Sequence, residues 1–123
     1  VAVLYSIENL VKNGRVPKIV GMAANLLNLH LIVNVSEDGQ IVPIAKSRNR
    51  KRGAGLVLAE MESKGYKGGK VIISHCQNPD GVELIKSTVS EKYPDAEFES
   101  MPTRGLCSYY AERGGLMIGY EIN

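Results

Sequence analysis

Apolar and polar residues along this chain alternate between strand-like and helix-like periods, and the switches divide it into short elements. The opening run VAVLYS, residues 1–6, reads as a strand. Ile7, Leu10 and Val11 then fall at helical spacing, and Asn13-Gly14 supplies the C-cap chemistry that ends such a helix. Pro17 suits the first turn of a second helix, where its missing N–H would be unbonded anyway. Val16, Ile19, Val20, Ala23 and Leu27 recur at i, i+3, i+4, i+7 and i+11, which makes one apolar face. Its small members, with Gly21 and Ala24, let another surface approach closely. The runs LHLIVNV and QIVPIAK flank Ser36-Glu37-Asp38-Gly39, and Asp-Gly between two such runs predicts a hairpin. Pro43 lacks a backbone donor, so it places the second strand at an edge or a bulge.

Ser47 offers an N-cap for a basic helix, RNRKRGAGLVLAEMESKG, with Ala54, Val57, Leu58 and Met61 inward and Gly65 as its end. VIISHC is a short, wholly apolar strand. Asn78-Pro79 starts the next helix, which runs to about Tyr93 with Val82, Ile85 and Val89 inward. AEFESM is a further strand, residues 103–115 form a polar connection with a helical turn, and LMIGYEI is the last strand. The order β-α-α-β-β-α-β-α-β-α-β predicts a layered α/β sandwich. Its sheet is expected to be mixed, with a mostly parallel region and one hairpin.

Composition narrows the class. The 123 residues, 44% apolar and 23% charged, suit one domain with a modest core. The chain opens on Val1 inside a strand-like run, which reads as a segment of a longer protein. No apolar run approaches the roughly 18 residues of a membrane span. The start has no signal-peptide pattern, and two cysteines read as reduced structural residues give the expectation of a cytoplasmic protein with no membrane span. The two cysteines, Cys76 and Cys107, fit no metal or redox spacing, so no metal site and no cofactor is expected. A net charge of +2 gives no argument for nucleic acid.

Two stretches carry candidate chemistry. TRGLCSYYAERGG, residues 103–115, packs Thr103, Arg104, Cys107, Ser108, Tyr109 and Tyr110 beyond a strand end, where α/β sheets place their ligands. Hydroxyls, backbone N–H groups and a bidentate Arg104 suit a carboxylate or phosphate. A bare strand-to-helix connection with solvated charges, or a nucleophilic Cys107 with His75 as its base, are the alternatives. Neither histidine, His30 or His75, stands in a cysteine-hydrolase pattern. The second stretch, KSRNRKR at 46–52, puts cations on a helix N-terminus against the macrodipole. It reads as a solvated first turn, or as a surface for an acidic partner, a phosphorylated ligand or nucleic acid. It lacks the aromatic interleaving of single-strand binders.

Taken together, LVKNGRVPK, IVGMAANLLNLHLIV, VSEDGQIVPIAKSRNRKR, VIISHC and PTRGLCSYYAERGGLMIGYE resemble, in this order, the C-terminal domain of the DegV family of bacterial lipid-binding proteins. The resemblance covers the whole chain. It implies a single α/β domain over 1–123, with the N-terminal domain of a two-domain protein lying outside this chain. It also implies a carrier and not an enzyme. A long-chain fatty acid would be bound together with the N-terminal domain and its carboxylate presented to a fatty acid kinase, with no nucleic acid involved. On that resemblance Thr103, Arg104, Ser108, Tyr109 and Tyr110 would contribute to the headgroup site. Arg15, Arg48 and Arg50 would form a rim toward the partner. Many relatives carry a glycine-rich loop with a histidine where this chain has Ser108-Tyr109-Tyr110. A tyrosine hydroxyl can hydrogen-bond a carboxylate but carries no positive charge near neutral pH.

Overall fold

A computed structural model describes residues 1–4, 13, 30–105 and 111–122. The expected helices between residues 7 and 28, with Arg15, and residues 106–110, with Cys107, Ser108, Tyr109 and Tyr110, lie outside the described residues. The described elements are β1 (Ala2–Leu4), β2 (His30–Val35), β3 (Ile41–Ser47), α1 (Arg50–Ser63), β4 (Val71–His75), α2 (Pro79–Lys92), β5 (Phe98–Pro102) and β6 (Leu116–Tyr120). The strands form one sheet in the order β3-β2-β1-β6-β4-β5.

The sheet is mixed. Among the described strands only β4 and β5, the pair joined through α2, run parallel; the β1/β2, β1/β6, β2/β3 and β4/β6 pairs are antiparallel. The parallel region is thus smaller than the alternation of elements predicts. β6 enters between β1 and β4 and runs against both, so a helix between two strands does not make those strands parallel neighbours here.

Local chemistry accounts for the boundaries. In the β2–β3 hairpin Gly39 takes φ +80°, and its N–H donates to the Ser36 carbonyl at 3.0 Å. Pro43 sits in β3, an edge strand, and the pairing register shifts opposite Ile32/Val33. Ser47 does not cap α1. It is buried as the last residue of β3, and its hydroxyl donates to the Asn49 carbonyl at 2.8 Å. The cap is Asn49, whose Oδ1 accepts from the Arg52 N–H at 3.2 Å. Both residue types cap helices well, and the strand continues far enough to consume the serine. At the other end Gly65 has φ +107°. The Gly65 N–H donates to Glu62 and the Tyr66 N–H to Met61, the paired bonds of a Schellman stop.

Both helices pack on one face of the sheet. Val57, Met61, Val71, Ile73, Val82, Ile85, Val89, Leu116 and Ile118 form that core with Val3 and Ile32. Strand residues of opposite parity point to the second face, because side chains alternate along a strand. Tyr66 stacks edge-on against Tyr93 and Tyr120 at the end of the core. There Glu62 Oε2 accepts from the Tyr93 hydroxyl and from Lys92 Nζ, both at 2.6 Å.

These two donors, Lys92 foremost, hold the Glu62 carboxyl below its ordinary value of 4.5. A carboxyl depressed by folding stabilises above its unfolded value, and that contribution is lost as pH falls through the folded one. Thermal melts should therefore drop from about pH 4.5 downward. Glu62→Gln should flatten that acid limb. An unchanged slope in the variant would mean that the contact adds nothing to stability.

Candidate functional site

The strand register fixes what lies at one end of the sheet. Leu31 pairs with Leu4, Val3 with Leu116, Leu116 with His75 and His75 with Pro102. His30, Ser47, His75 and Thr103 therefore share that end, and the basic start of α1 follows directly after Ser47. Thr103 is anchored there by its N–H, which donates to the His75 carbonyl at 2.8 Å. It is half-buried, and Arg104 beside it is exposed.

Behind this end, two loops lock together. The Cys76 N–H donates to the Gly115 carbonyl at 2.9 Å, and the Gly114 N–H donates back to the Cys76 carbonyl at 2.7 Å. Asn78, only 8% exposed, completes the junction. Its Oδ1 caps α2 by accepting from the Gly81 N–H at 3.0 Å, and its Nδ2 donates to the Gly114 carbonyl at 2.9 Å. Within the connection itself the chain folds back tightly, so that a Cβ on Gly115 would lie 2.3 Å from the Ala111 carbonyl oxygen. This junction holds the far end of the 103–115 connection against the β4–α2 turn.

His75 is part of the same turn. Its Nδ1 accepts the Asn78 N–H at 3.1 Å. In the neutral ring the proton then resides on Nε2, which leaves no lone pair for a general base. Cys107, weighed from the sequence as the partner of His75, lies outside the described residues.

The second sheet face carries a groove of about 400 Å³, lined by Val1, Ala2, Val33–Val35, Ile72, Ser74 and Met117–Gly119. A second groove of about 380 Å³ is lined by Ser74, Met101, Pro102, Thr103, Arg104 and Met117. Ser74 and Met117 belong to both. The floor is therefore a trough from β2 to β5, largely apolar and ending at Thr103 and Arg104. Four strand spacings separate β2 from β5, roughly 19 Å at about 4.8 Å each. Ser74, Met101, Met117 and Gly119 were not singled out from the sequence. Their signal was present: VIISHC and LMIGYEI are apolar on both parities, as strands with two covered faces are. Ile73 is buried under the helices, whereas Ile72 remains 39% exposed in the groove.

Arg48 and Arg50 lie at the same sheet end, and both are exposed, as are Lys51 and Arg52. The first turn of α1 holds no acidic residue. Arg50 lies near His30, whose imidazole is held below its usual value first by burial and then by that guanidinium. His30 thus adds no charge at neutral pH. The arginines follow edge strand β3, while Thr103 and Arg104 follow the opposite edge, β5. Five strand spacings, about 24 Å, separate these edges, so they border one end without forming one cluster. Among the described residues no group of three His, Cys, Asp or Glu side chains is placed to hold a metal ion. No helix among them is long and apolar enough to cross a membrane.

The described residues define an α/β domain with two helices on one sheet face and, on the other, an apolar trough that ends in polar groups. A family model described as "Uncharacterised protein, DegV family" matches residues 1–122. The chain belongs to the DegV family. A DegV domain-containing protein of Streptococcus pyogenes serotype M3 is 44% identical over 120 residues, which is 98% of this chain and 43% of that protein. The Fatty Acid Kinase (Fak) B3 protein of Streptococcus pneumoniae, solved loaded with linoleic acid, superposes with a TM-score of 0.90 at 37% identity, over 99% of this chain and 43% of that one. A DegV family protein from Eubacterium eligens, solved with heptadecanoic acid, gives 0.91 at 35% identity, over 99% and 44%. The chain thus spans less than half the length of these relatives.

Proposed function

We propose that this chain is the C-terminal domain of a two-domain cytoplasmic carrier. The carrier would bind a long-chain fatty acid and present its carboxylate to a fatty acid kinase, without itself catalysing a reaction. The trough carries this reading. Its apolar floor is long enough for a long-chain acyl group, and it ends at Thr103 and Arg104. The fatty acids held by the two solved relatives support the same ligand class. Thr103, Arg104, Ser108, Tyr109 and Tyr110 are assigned to the headgroup. Arg15, Arg48 and Arg50 are assigned to a rim facing the kinase. Rim charges act mainly on encounter and salt dependence, whereas buried hydrogen bonds act on residence time.

The test is a paired assay on the full-length protein, with labelled fatty-acid binding and kinase-dependent phosphorylation measured on the same variants. Thr103→Val and Ser108→Ala should weaken lipid retention by roughly 0.5–1.5 kcal/mol, rising to about 3 kcal/mol where the acceptor is a carboxylate. Arg15→Ala and Arg50→Ala should leave binding nearly intact and slow phosphorylation. Arginine variants that lose lipid but react normally with the kinase would reverse the assignment.

A further inference from the structure

Gly119 is the one glycine inside a described strand. A glycine there weakens a strand, since it adds backbone entropy to the unfolded chain and packs no side chain. Most described glycines have an internal reason to be glycine. Gly39, Gly65, Gly68, Gly105 and Gly114 take positive φ, and a Cβ on Gly69, Gly81 or Gly115 would fall under 3.0 Å from a neighbour. Gly119 has neither reason: its φ lies outside the left-handed region, and an added Cβ would meet nothing within 4 Å. It does line the larger groove, opposite Ile72 in the register and two residues beyond Met117. A bare strand backbone on a groove floor is where a ligand approaches closely.

We propose that Gly119 is a specificity-determining residue: its missing side chain leaves the depth that admits the distal part of a long acyl chain. This rests on the fatty-acid reading above. Gly119 lies three residues along β6 from Leu116, the level of His75 and Pro102, and two strand spacings in from β5, hence about 14 Å from the headgroup end. A short acyl chain ends near that level, and a long one must pass over it. A side chain at 119 therefore narrows the trough for long chains alone.

The experiment measures heptadecanoic and decanoic acid affinities of the full-length protein, its Gly119→Val variant and the smaller Gly119→Ala variant, each checked by a thermal melt without lipid. The valine should cut heptadecanoic acid affinity at least tenfold while decanoic acid changes less than twofold. Alanine should give a smaller shift in the same direction. Neither should lower the melting temperature, because valine favours strands. Equal losses on both acids, with a lowered melting temperature, would mean that position 119 seats a piece of protein and would overturn the proposal. Unchanged affinities in both variants would overturn it too. Wild-type protein that binds neither acid would refute the fatty-acid reading itself, a result separable from either of these.

Discussion

Replacing Asn78 by alanine should lower the unfolding free energy by about 2–4 kcal/mol, far more than an ordinary surface change. Two losses add. The α2 N-cap disappears, which costs about 1 kcal/mol. The Gly114 carbonyl, on a buried glycine, loses its donor, and an unsatisfied buried acceptor costs about 1–3 kcal/mol. Asn78→Ser separates the two: serine keeps a cap acceptor for the Gly81 N–H but is too short to reach Gly114, so it should recover about 1 kcal/mol. Urea unfolding of the full-length protein reads both, as a shift in midpoint at constant slope. An alanine variant within about 0.5 kcal/mol of wild type, the range of ordinary surface substitutions, would show that the junction does not anchor the 103–115 connection.

That junction also marks the limit of what the sequence discloses. Asn78-Pro79, Asp38-Gly39 and Gly65 are legible because their chemistry is local: a cap, a turn and a stop depend on neighbours within a few residues. The inward faces of α1 and α2 are legible for the same reason, since period alone selects Val57, Met61, Val82, Ile85 and Val89. Ser47 against Asn49 is a local contest that propensity cannot decide, because both residues cap and only the length of β3 chooses. Strand direction is not local at all. The place of β6 between β1 and β4 depends on pairings between residues more than a hundred positions apart, such as Ala2 with Met117. The trough is hidden in the same way. Ser74, Met101 and Met117 come from three strands, and nothing in any one strand says that they share a face. Thr103 and Arg104 stand out as candidates because they are clustered in sequence, and the register sets them at the trough's end.

The largest functional effect is expected at Met117, where the two grooves meet. Met117→Asp would set a carboxylate on the floor of an apolar trough, in the path proposed for the acyl chain. Covering an unpaired charge with hydrocarbon costs several kcal/mol, and about 2.7 kcal/mol already corresponds to a hundredfold in affinity. Met117 is half-buried and belongs to the second face, so the helix-side core of Leu116 and Ile118 is left in place and folding should survive. The direct measurement is mass spectrometry of small molecules extracted from purified full-length protein, wild type beside Met117→Asp, with the fold of both checked by circular dichroism. Wild-type protein should yield long-chain fatty acid equimolar with protein, and the variant almost none. Equal lipid in both proteins, or no fatty acid from wild type, would contradict it.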